Sequence, residues 1–252
     1  MLPTSAVADT ATLFVSEVFG PVWQGEGRQA GQLCAFVRLS GCNLSCRWCD
    51  TPYTWAFTPA RAAKHDSRQR YNIREERGKW EISTILAAVE GTKLVVISGG
   101  EPFTQLDSVN HLAWALLNEG HTVAFETAGT ISPLPSMAWA IGSRAIQWVV
   151  SPKLPSAGNP TSLCYKPDVL RDFDYLGADF KFVISDETDM EEARRIVMEL
   201  VIPRERVWCM PEGITATAAL EGAKKIAPWV LEQGWNLTLR QHTLLYGNER
   251  GK

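Results

Sequence analysis

No sign of charge dominates this chain: 25 lysines and arginines face 28 aspartates and glutamates, a formal net charge of −3. That balance excludes a nucleic-acid wrapper and a polybasic membrane binder. No apolar run approaches the roughly 18 residues needed to cross a bilayer, and the β-like runs, such as Leu94–Ile97 and Trp148–Val150, are short. Met1–Thr12 lacks a basic segment followed by an apolar core, so a cytoplasmic, reducing compartment is expected. There is no internal repeat and no linker. With 45% hydrophobic and 21% charged residues, whole-chain disorder is excluded as well. The six cysteines do not read as a disulfide framework in such a compartment: Cys42, Cys46 and Cys49 fall within eight residues, while Cys34, Cys164 and Cys209 are scattered. Clustering of this kind points to metal binding or catalysis.

What is present alternates. Short β-branched runs at Leu33–Leu39, Leu94–Ser98, Thr122–Glu126, Ile146–Ser151, Ala178–Val183 and Val207–Met210 predict strands buried on both faces. Between them, Val109, Leu112, Ala113, Leu116 and Leu117 form one helical stripe, and Met190, Ala193, Ile196, Val197 and Leu200 a second behind the cap-competent Asp186. A third helix is expected from about Ala216 to Gln233 behind Thr215, kinked or ended at Pro228. Strands alternating with helices predict an α/β fold with a parallel sheet and right-handed crossovers. Six units are too few for an eight-fold barrel, so an incomplete, TIM-like (β/α)6 partial barrel in one domain over 1–252 is expected, with polar clusters at the strand ends. The stretch 56–80, rich in arginine and poor in aliphatic residues, is read as a basic surface insertion. Docking of a reductant there is a second reading.

The triplet Cys42-Asn-Leu-Ser-Cys46-Arg-Trp-Cys49 has C-x3-C-x2-C spacing on the loop leaving a buried strand. Three thiolates on one tight loop suit three corners of a [4Fe–4S] cluster, leaving the fourth iron open to a small molecule. Structural zinc and incidental thiols are the alternatives. Zinc needs four ligands, yet Cys34 belongs to the strand and His65 lies sixteen residues downstream.

This triplet, with Trp48 before its last cysteine, resembles the signature of the radical S-adenosylmethionine (SAM) superfamily, as does Ser98-Gly99-Gly100-Glu101-Pro102. The resemblance implies a partial barrel of the radical SAM type, a cluster whose open iron chelates SAM, and cleavage of SAM to a 5′-deoxyadenosyl radical. Two glycines there suit close approach of the backbone to a ligand. Phe19-Gly-Pro-Val-Trp-Gln-Gly-Glu-Gly27, Phe36-Val-Arg-Leu-Ser-Gly-Cys-Asn-Leu44, Trp48-Cys-Asp-Thr-Pro-Tyr-Thr-Trp55, Glu126-Thr-Ala-Gly-Thr130, Ser151-Pro-Lys153, Asp179-Phe-Lys181, Met210-Pro-Glu-Gly213 and Arg240-Gln-His242 follow in order. Together they resemble the 7-carboxy-7-deazaguanine synthase family over nearly the whole chain. That family converts 6-carboxy-5,6,7,8-tetrahydropterin to 7-carboxy-7-deazaguanine and releases ammonia.

By this resemblance Trp48, Asp50, Gly100, Glu101, Ser151, Pro152, Lys153, Trp208, Cys209, Met210 and Pro211 contact SAM. Thr51 binds Mg2+. Trp23, Gln24, Gly25, Glu26, Arg38 and Ser98 bind the pterin, and Glu126, Lys181 and His242 complete the set. The side chains suit such a substrate independently: an anionic carboxylate needs a cation, and a pterin edge needs mixed donors and acceptors. Lys153 and Lys181 end buried strands, where a lysine is seldom left without a task; capping carbonyls or pairing with Asp179 would also occupy one. Thr51 alone would pass for a turn residue before Pro52. The resemblance further implies a homodimer and a reductant such as flavodoxin. A glycyl-radical activase would share the triplet, though Gln24–Gly27 and Arg38 suit a small anion better. A plain Fe–S carrier would leave Gly99-Gly100 unexplained.

Overall fold

The computed structural model describes residues 11–140 and 145–252; most of the Met1–Thr12 stretch inspected for a leader lies outside them. The six expected strands all form: β2 (Leu33–Leu39), β4 (Leu94–Gly99), β5 (Thr122–Thr127), β6 (Ile146–Val150), β7 (Asp179–Ile184) and β8 (Val207–Pro211). Three more extend the sheet: β1 (Thr12–Trp23), β3 (Gly78–Glu81) and the two-residue β9 (Asn236–Leu237). The order is β3-β1-β2-β4-β5-β6-β7-β8-β9. All pairs from β2 to β9 are parallel, and β1 runs antiparallel to both its neighbours.

Period-two alternation divides the sheet's side chains between two layers. Val37, Leu39, Val95, Ile97, Val123 and Phe125 face outward into the main core. Helices cover that layer: α1 (Ile82–Ala88), α2 (Leu106–Asn118), α3 (Pro167–Tyr175), α4 (Glu187–Leu200) and α5 (Ala216–Gln233). The expected stripes are what they bury. Val109, Leu112, Ala113 and Leu116 are inside, with Leu117 at the margin, and Asp186 caps α4 by accepting from the Asp189 N–H at 3.0 Å. Within this layer Phe125 stacks on Trp148 with centroids 4.9 Å apart, and Phe103 packs on Phe125 at 5.4 Å. Truncating such a buried ring costs about 3–5 kcal/mol. Of the two outcomes expected at Pro228, an end is not what forms: α5 continues through it. Its buried stripe, Ala219, Ala223, Ile226 and Val230, spans the proline, so packing on the sheet outweighs the one backbone bond that proline removes.

The other face is concave. Cys34, Phe36, Leu94, Val96 and Ala124 form a small inner core there with Phe19 and Val22. Among the described residues the sheet does not close on itself, since β3 and β9 are its two edges. The loop after β1 crosses the gap instead: Gly27 N–H donates to Thr238 Oγ1 at 2.8 Å, and Gln241 N–H to the Gly25 carbonyl at 2.9 Å. A strand on one side of the sheet thereby reaches the chain beyond β9, which is how an incomplete barrel is stapled. The 56–80 stretch carries two helical turns, Pro59–Ala62 and Ile73–Glu76, and leads into β3. Many of its side chains are exposed, but Ala62 and His65 are buried, beside Trp55. Among the described residues no helix is long and apolar enough to cross a membrane.

Candidate active site

Arg38, Ser98 and Glu126 end three adjacent parallel strands, and the register sets them side by side. Arg38 pairs across with Ser98, and the Ile97–Phe125 pairing makes Glu126 the next neighbour. All three project to the concave face, where they meet the loop after β1. Ser98 Oγ donates to Glu126 Oε2 at 2.8 Å, and Gln24 Nε2 donates to Glu126 Oε1 at 3.2 Å. Lys181 on β7 lies 3.8 Å from Glu126 and pairs closely with Glu26. Arg240, just past β9, donates from Nε to Glu26 at 3.0 Å and pairs with Asp50. One polar network therefore runs from Ser98 through Glu126, Lys181, Glu26 and Arg240 to Asp50.

Its protonation states follow from the pairing. Burial pushes the Glu26 carboxyl up, but the Lys181 ammonium and the Arg240 guanidinium together outweigh it and hold the group well below the usual carboxylate range. Both cations rise in turn, against burial, because carboxylates face them. His242, whose ring lies against Gly25, goes down: burial is the main cause, and Arg240 adds to it. It is the neutral imidazole at neutral pH.

Arg38 is held separately. Its Nε donates to Glu17 Oε1 at 2.7 Å, directly across the β1–β2 pairing. Its guanidinium carbon lies 5.4 and 5.6 Å from the Phe19 and Phe36 ring centroids. Glu17 also accepts from the Tyr53 hydroxyl at 2.6 Å and from Arg250 Nε at 2.7 Å. Among the described residues, no hydrogen bond engages the two terminal nitrogens of Arg38, the fork that grips a carboxylate.

The three thiols line the same cavity, about 700 Å3 in volume, a size suited to a small molecule. Burial pushes the Cys49 thiol up to about 11 and raises Cys42 and Cys46 too. Each sulfur has one N–H aimed at it: Leu44 N at 3.4 Å from Cys42, Asn159 Nδ2 at 3.1 Å from Cys46 and Trp55 Nε1 at 3.3 Å from Cys49. Among the described residues, no three His, Cys, Asp or Glu side chains converge as they would on a single ion. The thiols therefore fit the corners of a cluster better than a zinc site, and the donors fit thiolate ligands. Thr51 is buried beside Cys49, hydroxyl to sulfur 3.6 Å. An isolated hydroxyl fits a Mg2+ held mostly by substrate and water.

Trp23, Gln24, Gly25, Glu26, Arg38, Trp48, Asp50, Ser98, Gly100, Glu126, Ser151, Lys153, Lys181, Met210, Pro211 and His242 line this cavity with the thiols and Thr51. Four expected SAM contacts do not. Cys209 is fully buried in the outer core, because alternation along β8 turns it toward the helices. Trp208, its neighbour, lies beneath the Arg28 guanidinium at 5.9 Å. Pro152 is buried between the lining residues Ser151 and Lys153. Glu101 is turned inward, accepting from the Phe103 N–H at 3.2 Å and from the Thr127 hydroxyl and the Ala128 N–H, both at 2.8 Å. It ties the β4 turn to the end of β5. The glycines before it have a further reason: a Cβ on Gly99 would strike the Leu39 backbone, and one on Gly100 the Gly41 carbonyl. Their close approach is to the start of the cysteine loop.

Comparison with known proteins agrees. Residues 36–138 match the radical SAM superfamily model. A 7-carboxy-7-deazaguanine synthase of Pyrobaculum aerophilum is 35% identical over 247 residues, covering 96% of this chain and 99% of its own length. The chain belongs to the 7-carboxy-7-deazaguanine synthase family. A second member, from Hyperthermus butylicus, is 34% identical over 252 residues, 96% of this chain and 95% of that one. The crystal structure of QueE from Escherichia coli shares the fold, with a TM-score of 0.68 at 22% identity, covering 95% of this chain and all of that one. A [4Fe–4S] cluster, SAM and Mg2+ are the family's cofactors.

Several residues escaped the sequence assignment. Arg240 was visible only as the first letter of its motif. Glu17 and Arg250 carried no signal beyond residue type, and Tyr53 and Trp55 stood in a quoted motif without a role.

Proposed function

We propose that this cavity carries the family's reaction, with 6-carboxy-5,6,7,8-tetrahydropterin lying between the polar network and the thiols and leaving as 7-carboxy-7-deazaguanine after loss of ammonia. The observation that carries this reading is the shared cavity: Arg38, whose fork takes no hydrogen bond among the described residues, the Ser98–Glu126–Gln24 set and three thiols line one space. The bound cluster and SAM supply the radical that removes a hydrogen from the substrate.

The chain's own residues do the rest. Cys42, Cys46 and Cys49 hold the cluster; Trp48, Asp50, Gly100, Ser151, Lys153, Met210 and Pro211 surround SAM, with Lys153 the cation for its carboxylate. Arg38 clamps the substrate carboxylate, and Thr51 holds Mg2+ beside it. Gln24, Glu26, Ser98, Glu126 and neutral His242 offer the donors and acceptors of a pterin edge, with Lys181 fixing Glu26 and Glu126. We read the chain as one radical SAM domain over 1–252 with a basic insertion at about 56–80, a cytoplasmic homodimer reduced by a flavodoxin-like protein and feeding 7-deazapurine synthesis of the queuosine type.

Positioning is the decisive demand, because the reacting carbon must stay within a few ångströms of the radical. Arg38→Ala should raise the Michaelis constant and uncouple the steps, leaving SAM cleavage with little product. Unchanged kinetics in that variant would remove Arg38 from the site.

A further inference from the structure

Two side chains from outside the cysteine loop aim N–H groups at its sulfurs. Trp55 is 3% exposed, and its indole N–H points to Cys49 Sγ at 3.3 Å. Its ring is held by the edge of His65, centroids 6.1 Å apart, and by the Arg61 guanidinium over its face at 5.1 Å. Arg61 also donates to the Leu44 carbonyl at 2.5 Å, and His65 Nε2 lies 2.8 Å from the Cys49 carbonyl. Asn159, from the loop after β6, grips the cysteine loop at two points. Its Oδ1 accepts from the Ser45 N–H at 2.9 Å, which fixes the amide's orientation, and its Nδ2 then faces Cys46 Sγ at 3.1 Å.

A neutral thiol is a weak acceptor, so a buried indole N–H and an amide N–H are poorly used on one. On a thiolate the same bonds are charge-assisted and about twice as strong. We infer that Trp55 and Asn159 set the reduction potential of the cluster held by Cys42, Cys46 and Cys49, through N–H···S bonds to Cys49 and Cys46. A donor to a ligand sulfur draws off negative charge and favours the state with one more electron. Removing it makes the cluster harder to reduce. The backbone N–H of Leu44 serves Cys42 likewise, at 3.4 Å, but side-chain substitution does not reach it. Part of the 56–80 stretch thus acts on the cluster, because His65 and Arg61 lock the Trp55 ring.

The inference rests on the cluster assignment, and the test separates the two. Parent, Trp55→Phe and Asn159→Asp proteins are reconstituted anaerobically, assayed for iron and sulfide, and titrated potentiometrically with EPR detection, without substrate. Trp55→Phe keeps the ring and loses only the N–H. Asn159→Asp keeps the oxygen for Ser45 and replaces the donor with an acceptor. Both should bind iron as the parent does, with midpoints lower by about tenfold in the reduction equilibrium, which is 59 mV for one electron. An iron-replete variant with the parent's midpoint overturns the role of that residue. Loss of iron in a variant overturns it too, making the residue one of assembly. A parent that binds no iron would sink the cluster assignment instead.

Discussion

Glu26 is the hinge of the polar network, and Glu26→Gln removes its charge at nearly constant volume. The carboxylate accepts from both Lys181 and Arg240, and its side chain is 12% exposed against 7% and 9% for theirs. Breaking a buried pair at one partner costs about 3–5 kcal/mol, because the remaining charge loses its compensation. Here each stranded cation keeps a second carboxylate, Glu126 at 3.8 Å for Lys181 and Asp50 for Arg240. The loss therefore belongs at the lower end, about 3 kcal/mol. For a chain of this size that is roughly 6–12 °C in melting temperature, measurable on the metal-free protein by circular dichroism. The pH dependence has a definite sign. Glu26 titrates lower in the folded than in the unfolded chain, so its contribution is complete above the unfolded value of about 4.3 and fades as pH falls below it. The gap between parent and variant should be constant from about pH 8 to pH 5.5 and narrow below about pH 4. A variant melting within a degree of the parent at pH 7 would refute the argument that this network is stabilised through Glu26.

Replacing Cys42, Cys46 or Cys49 by Ala should abolish the catalytic cluster, since each removes one of three thiolates, while Cys34→Ala, Cys164→Ala and Cys209→Ala should keep the parent's iron; iron analysis and EPR decide, and an active Cys46→Ala would break the assignment. Cys164 is the exacting control, because it packs in the same small cluster as Cys46. Thr51→Val keeps the volume and loses the oxygen, so it should slow product formation even in excess Mg2+ with iron content unchanged; a Mg2+ response like the parent's would make Thr51 a turn residue only.

Much of this was legible in the sequence where periodicity or spacing left little freedom. β2 was expected over Leu33–Leu39 and forms there, and α4 starts behind the Asp186 cap. β1 was missed as a strand. Its burial alternates only at its start, and its pairing with β2 shifts register twice, so no clean period marks it. Residues taken as contiguous runs do not all reach the cavity. Trp208–Pro211 and Ser151–Lys153 were assigned whole, but on β8 Cys209 faces the helices, and in the loop after β6 Pro152 is buried between the lining residues Ser151 and Lys153. Glu101 was read by its place after two glycines, whereas its carboxylate turns inward to the N–H groups of Phe103 and Ala128. Composition spoke for solvent over 56–80; the burial of His65 depends on a contact with Cys49, which sequence distance conceals. The pairing of Arg240 with Glu26 spans 214 residues, and only the fold brings them together.

One cavity is proposed to hold both the radical chemistry and the pterin. Anaerobic incubation of the reconstituted protein with SAM, dithionite, Mg2+ and 6-carboxytetrahydropterin, followed by mass spectrometry, tests it directly. The expected products are 7-carboxy-7-deazaguanine and ammonia, with deoxyadenosine formation that responds to the pterin. SAM cleavage at the same rate with and without the pterin, and no 7-carboxy-7-deazaguanine from an iron-replete protein, would contradict it.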